Sequence, residues 1–251
     1  VTPLDTPSGT TSMTPAEAGR DRRAERILDA AAELLAVQGC RRVTVEDVAR
    51  RAGVGRGTVH LHFATEEALF LTVLMRSLRW MTGHLVQDAR ADPSAALLSE
   101  LARSAYLLIH HDPVARTVLT ADSEALGALL GRAPALLGDL VETAERVADG
   151  CFEALRAHGL VRTDTPLRLQ RHAFAAVMTG FLVSGPAAPG EEPGVAATAG
   201  VLAGVVRSAF EQPPGPRAAP AAVHAAAAEV VALGRRLHDR LHEEIVRQKL
   251  A

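Results

Sequence analysis

Ala49 and Gly53, four residues apart between two short runs of helical spacing, constrain this chain more than any other pair. Thr44-Val45-Glu46-Asp47 opens a helix: Thr44 is a good N-cap, and the two acids sit at its positive end. Ala49 is small where a second helix must cross closely. Gly53 supplies the positive φ of a tight turn at no steric cost. Val48, Val54 and Val59 can pack the two helices together, the second running from about Arg56 to Leu61. The whole predicts a helix-turn-helix over 44–62, a unit whose second helix is short because only its first turns reach base edges in a major groove.

The outward positions of that second helix carry suitable chemistry. Arg56 can donate a bidentate pair to guanine, and Thr58 can reach a phosphate or a thymine methyl. Gly57 lets the backbone approach closely, and His60 and His62 follow. The bland alternative is a three-helix subdomain with no nucleic-acid partner. The net charge of −2 does not favour a polyanion, but its distribution does. From Arg20 to His62 nine arginines face six acids, a local +3 that leaves −5 on the rest.

The remainder reads as helix. Thr14-Pro15-Ala16-Glu17 forms a capping box with proline at the first helical position, and the apolar stripe Ile27, Leu28, Ala31, Leu34, Leu35 ends at Gly39. A fourth helix opens at Thr65 and runs towards Val86. Asp92-Pro93, Asp112-Pro113 and Thr165-Pro166 are further starts. Long apolar helices are expected at about 94–110, 135–157 and 167–184. A Pro/Gly/Glu loop at 185–194 precedes a small-residue helix at 195–210. A Pro-rich linker at 212–216 leads into a last amphipathic helix at about 219–249. Nothing alternates with period two, and with 48% hydrophobic residues but only 3% aromatic, Ala, Leu and Val must fill the core. The expected fold is all-α.

Other classes are poorly served. Two distant cysteines, Cys40 and Cys151, suit neither a disulfide scaffold nor a zinc ribbon and fit a reducing cytoplasm. No apolar run reaches the ~18 residues of a membrane span. Residues 1–13 read as a disordered polar tail. No phosphate loop, nucleophile elbow or paired metal-ligand spacing supports an enzyme, and no cofactor is implied. His110, His111 and Asp112 diverge by about 100° per residue on a helix, so they cannot share one metal ion.

From Arg22 to Leu74 the chain resembles the N-terminal domain of the TetR family of bacterial regulators. The resemblance is carried by Ile27-Leu28-Asp29-Ala30-Ala31, Gly39, Thr44 to Ala49, Ala52-Gly53-Val54, Gly57 to Phe63 and Glu67-Ala68-Leu69. It implies a three-helix DNA-binding domain at 14–64, a ligand-binding and dimerisation domain at 65–211, and here an extra linker and helix at 212–251. It implies a homodimer on a palindromic operator of double-stranded DNA, most often a repressor released by a small molecule. DNA contacts carry over to Thr44, Arg56, Gly57, Thr58, His60 and His62. Three positions depart from the pattern. His60 replaces the usual tyrosine, and Gly55, itself counted among the DNA-binding positions, replaces a serine cap. Glu66 replaces a phosphate-contacting lysine, where it would repel the backbone or simply favour its own helix dipole. Arg22, Arg23, Arg26 and Arg42 are available to compensate.

Candidates for an effector site are bulky or polar side chains on apolar helices: Trp80, Arg103, Tyr106, His110, Phe152, Phe174 and Met178. Each has a core or solvated alternative. Their chemistry suggests an apolar or weakly polar effector. The expected dimer helices are 167–184 and 195–210. The last helix must bury its stripe on its own body or on a partner subunit, with the reach of the linker favouring the partner. Two other readings stand beside the regulator: an interaction protein whose helix-turn-helix has lost DNA binding, motivated by Glu66, and an uncharacterised enzyme.

Overall fold

A computed structural model describes residues 14–121, 123–183, 194–212 and 219–250. The tail at 1–13 and most of the 185–194 loop and the linker lie outside the described residues. Among those described the chain is all-α, as its patterning requires, with a single isolated bridge between Val161 and Glu211.

The N-terminal head is α1 (Pro15–Gln38), α2 (Val45–Ala52) and α3 (Arg56–His60). Thr14 and Thr44 both form complete capping boxes, with Glu17 and Asp47 respectively. Gly39 and Gly53 end α1 and α2 at positive φ, and Gly53 is left-handed at φ 66°. α4 (Glu66–Ala91), capped by Thr65, runs out of the head as the first body helix, past the expected end near Val86.

The next stretch departs from expectation. Asp92-Pro93 starts not the long helix but a 3-10 turn, Pro93–Ala96, and α5 (Leu98–His111) begins after a break at Leu97. Leu97 has no capping side chain, so Glu211 from the far end of the body supplies one, accepting the Ser99 N–H at 2.7 Å. Asp112 then caps α6 (Pro113–Ala121) through the N–H groups of Val114 and Ala115. The helix expected over 135–157 is two helices, α7 (Ser123–Leu137) and α8 (Leu140–Ala157), because Gly138 turns at φ 56° between them. α9 (Leu167–Val183), α10 (Val195–Phe210) and α11 (Ala219–Leu250) complete the chain.

Two hydrophobic clusters form the interior. One fills the head with Ile27, Leu35, Val48, Val59 and Phe63, and continues through Val73, Val118 and Leu137 to Leu241 and Ile245 of α11. The other joins Leu98, Tyr106, Phe152, Leu155, Leu202 and Phe210 to Ala226, Ala227 and Val230 of α11. The head thus shares its core with α6, α7 and the end of α11.

The last helix corrects the expectation that it embraces a partner. Its stripe lies along α4, α8 and the 3-10 turn of its own chain. Glycines permit the close approach: a Cβ on Gly234 would stand 2.6 Å from Val86 Cγ2, and one on Gly150 of α8 would stand 3.1 Å from Leu233. At its C-terminal end a wholly buried Glu244 accepts from Arg240, Arg247 and Gln248. Arg247 and Gln248 also donate to the Leu136 carbonyl at the end of α7, at 2.8 and 2.9 Å, and Arg240 grips Asp139 at the start of α8. Lys249 pairs with Asp21 and Glu25 of α1. One helix therefore touches head and body together.

Candidate nucleic-acid interface

The two short helices of the head meet as their residues dictate. Val48 and Val59 are fully buried between them, with Val54 packed alongside, and Ala49 is buried at the crossing. The turn closes through Gly53 N–H to the Arg50 carbonyl and Val54 N–H to the Ala49 carbonyl. Gly55 opens α3 with no side-chain hydrogen bond; its carbonyl accepts the Thr58 and Val59 N–H groups, and those of Arg56 and Gly57 are left to solvent or to an anion.

The face presented by α3 is Arg56, Gly57, His60 and the adjoining Leu61, all exposed, with Thr58 half-buried. A Cβ on Gly57 would meet nothing within 4 Å, so its bareness answers no need inside the head. Arg56 is not idle: its Nη1 lies 2.5 Å from Glu46 Oε1 on α2, both side chains well exposed. An exposed pair of this kind contributes little to stability and can be exchanged for another acceptor. Glu46 was not singled out by sequence; the signal was present in the motif, since crossing α3 over α2 brings the first turns together.

Thr44 is exposed at the head of α2, but its hydroxyl donates to Asp47 Oδ2 at 2.7 Å and accepts the Asp47 N–H at 3.2 Å. The Thr44 hydroxyl and the Thr44 N–H, both donating to that carboxylate, hold the Asp47 carboxyl below the usual carboxylate range. A phosphate at Thr44 would have to share that hydroxyl with a carboxylate. Arg22, Arg23, Arg26 and Arg42 are exposed, the first three along the start of α1. Arg51 pairs with Glu33 at 2.6 Å, tying α2 to α1.

Two positions are not where sequence puts them. His62, expected on the outer face, is 3% exposed. Burial pushes its imidazole below the usual histidine range, and the charges of Arg23 and Arg20 push the same way against a hydrogen bond with the Lys249 backbone. Its Nδ1 is buried without a partner. Val59 and Phe63 flank it in the core, and the end of α11 closes over it, so the ring is turned inward. Glu66, expected beside the DNA backbone, instead accepts the Val45 N–H at 3.2 Å. Its carboxylate therefore serves the positive end of α2 as well as that of its own helix. Glu67 pairs with Arg132 of α7 at 2.5 Å.

The effector candidates divide into two groups. Tyr106, Phe152, Phe174 and Met178 meet in one hydrophobic cluster, with Phe174 edge-on to both Phe152 and Phe210 at 5.5 and 5.9 Å. Burial raises the Tyr106 phenol above its usual range, opposed by a hydrogen bond with Thr198. The His110 ring lies tilted against Tyr106, centroids 4.1 Å apart, and its Nδ1 bonds the Tyr106 carbonyl. Trp80 and Arg103 lie elsewhere. Trp80 is 36% exposed between His84 and His111, and Arg103 is exposed with Glu100 Oε2 3.9 Å away. Among the described residues no group of three His, Cys, Asp or Glu could hold a metal, and no helix is long and apolar enough to cross a membrane.

The outer faces of α9 and α10 expose several apolar residues among polar ones such as His172 and Arg207. Leu169, Ala173 and Ala176 on α9, and Val195, Gly200, Val201 and Val205 on α10, are all exposed, Val201 at 61%.

Comparison with known proteins follows the same division. The bacterial regulatory proteins of the tetR family match residues 27–73. The HTH-type transcriptional regulator SrpR of Pseudomonas putida is 30% identical over 179 residues, which cover 68% of this chain and 78% of that protein. The HTH-type transcriptional repressor KstR2 of Mycobacterium tuberculosis is 33% identical over 92 residues, covering 36% of this chain and 46% of that one. The match thus spans somewhat under half the length of that curated relative. Beyond the head, the fold itself is shared with a solved gamma-butyrolactone receptor (ArpA like protein), at TM-score 0.52 and 19% identity, over 88% of this chain and 98% of that one.

Proposed function

The chain belongs to the tetR family of bacterial regulatory proteins, non-enzymatic DNA-binding regulators, and from that premise we propose that it is a ligand-responsive repressor acting in the cytoplasm. It binds a palindromic operator in double-stranded DNA as a homodimer, and a small molecule releases it.

The observation that carries this reading is the bare face of α3. Arg56, Gly57 and His60 stand exposed on a helix whose other side is locked into the head by Val59. Arg56 leaves Glu46 to take a base edge, Thr58 and His60 meet phosphates or a thymine methyl, and Arg22, Arg23 and Arg42 supply phosphate contacts. His62 acts indirectly, by filling the space behind α3, and Thr44 by capping α2. The interaction-protein reading rested on Glu66, and the Val45 N–H gives that carboxylate an internal task.

Dimerisation uses the uncovered α9 and α10 faces, where Gly200 and Gly204 let two backbones approach. An exposed group of Val, Leu and Ala on a water-facing surface needs a partner. The division into a head at 14–64, a body at 65–211 and an appended segment at 212–251 is one of roles, since the hydrophobic core crosses it. The effector, apolar or weakly polar, enters by displacing packing around Tyr106, Phe152, Phe174 and Met178, where the phenol and Thr198 offer the polar contact. By linkage, an effector that weakens DNA binding binds the DNA-bound form less tightly by the same factor.

Retarded migration of the DNA flanking the chain's own gene tests this, with affinity falling steeply as salt rises. Absence of retardation on every genomic fragment would overturn it.

A further inference from the structure

Where α1, α4 and α11 meet there is a cleft of about 470 Å³ that shares no residue with the aromatic cluster around Phe174. Its volume is in the range of small-molecule sites. Its ion pairs pass over one guanidinium. Arg76 is held by Asp29 at 2.8 Å and Glu25 at 3.6 Å, and Lys249 by Asp21 and Glu25. Arg79 has no ion-pair partner among the described residues, and its Nε is buried without an acceptor, as is Nη1 of Arg76. Three imidazoles line the same cleft, His84 from α4 and His238 and His242 from α11. The Nδ1 of His84 donates to the Trp80 carbonyl at 2.9 Å and the Nδ1 of His238 lies 3.2 Å from Asp239 Oδ1, so His242 is the imidazole of the three without a hydrogen-bond partner among the described residues. A half-buried guanidinium without a counter-charge is costly, and an anion that brings one relieves that cost.

We propose that this cleft binds a small organic anion presenting a carboxylate or phosphate to Arg79 and His242. DNA is not the occupant. Arg79 lies thirteen residues beyond Glu66 along α4, or ~20 Å from the end of that helix that touches α2. The walls come from the head (Glu25) and from the helix that clasps the body (α11), so an occupant changes how the two are held together. That last clause rests on the DNA-binding reading; the existence of the site does not.

Trp80, the chain's single tryptophan, lines the cleft and reports on it. The full chain, without DNA, is titrated with sodium citrate and with inorganic phosphate at ionic strength held constant by sodium chloride, while tryptophan emission is followed. A saturable change with at least one probe is expected, and the probe that gives it identifies the anion class. Arg79→Gln should weaken the midpoint about tenfold or more, the loss of a charged hydrogen-bond partner. If Arg79→Gln does not fold, His242→Gln, on an exposed position of the opposite wall, makes the same comparison. No saturable response to either probe, or a response the folded variant leaves unchanged, overturns the proposal. Because no DNA is present, that failure leaves the regulator reading untouched.

Discussion

The carboxylate of Glu66 accepts the Val45 N–H at 3.2 Å, so the first turn of α4 caps the first turn of α2. A residue that sequence marks as a repulsive charge on the DNA side is thereby part of the head's scaffold. The two effects separate by substitution. Glu66→Gln keeps an acceptor and removes the charge; it should tighten DNA binding on all sequences alike and leave the melting temperature nearly unchanged. Glu66→Lys removes the acceptor as well and should lower stability by about 1 kcal/mol. Thermal unfolding beside retardation on specific and random DNA checks both, and a Glu66→Lys protein that melts like its parent would show that the cap contributes nothing.

Arg56 and Glu46 form the second pair to test. Arg56→Ala should cost about 1–3 kcal/mol on the specific site, as expected for one bidentate base contact. Glu46→Gln releases the arginine from its partner. It should raise binding to random DNA more than to the operator, narrowing the specificity ratio, with stability changed by less than about 1 kcal/mol because the pair is exposed. Competition between labelled operator and random duplex gives the ratio directly; an unchanged ratio would mean that Glu46 does not restrain Arg56.

His62 makes stability depend on pH. Its imidazole is held below the ordinary value of 6.5 by burial and by Arg23 and Arg20, so the unfolded chain binds more protons than the folded one just below that value. The stabilisation is fully present above about pH 6.5 and is lost as pH falls from there through the lowered folded value. Melting temperature should therefore decline on acidification from neutrality, and His62→Gln should flatten that decline. Parallel slopes for parent and variant would exclude His62 as the cause.

Gly234 sets the distance between α11 and α4. Adding a Cβ places it 2.6 Å from Val86 Cγ2, and valine has little freedom to yield. Gly234→Ala should destabilise by about 1–3 kcal/mol, although alanine is the better helix former. Gly131→Ala on α7, where a Cβ meets nothing within 4 Å, should instead stabilise slightly. Opposite shifts in denaturation midpoint are the expected signature, and a stabilised Gly234→Ala would mean that α11 does not sit this close.

Val201 is the most exposed of the large apolar side chains on α10. Val201→Arg should convert a dimer to a monomer in sedimentation and abolish retardation of a palindromic site while leaving helix content intact. Deleting α11 should act differently, lowering the melting temperature of each subunit, because Leu241 and Ile245 leave the shared core.

Much of this molecule is local chemistry and is legible in sequence. The caps at Thr14, Thr44 and Thr65 and the left-handed turn at Gly53 depend on residues within four positions of one another, and the helical stripe of the head follows from the same spacing. The helix breaks at Leu97 and Gly138 were harder: Leu97 carries no cap of its own and is served by Glu211, and the Leu137–Asp139 turn follows an apolar run that reads as continuous helix. Packing between distant segments sets which neighbour each side chain meets. Periodicity shows that α11 has a buried face but not whose surface buries it; Gly150 and Gly234 settle that by letting it lie on its own chain. The motif at 44–62 likewise names the residues beside the groove. Whether each points out or in is decided by distant contacts, which hold Arg56 on Glu46, turn His62 under the end of α11 and draw Glu66 onto Val45.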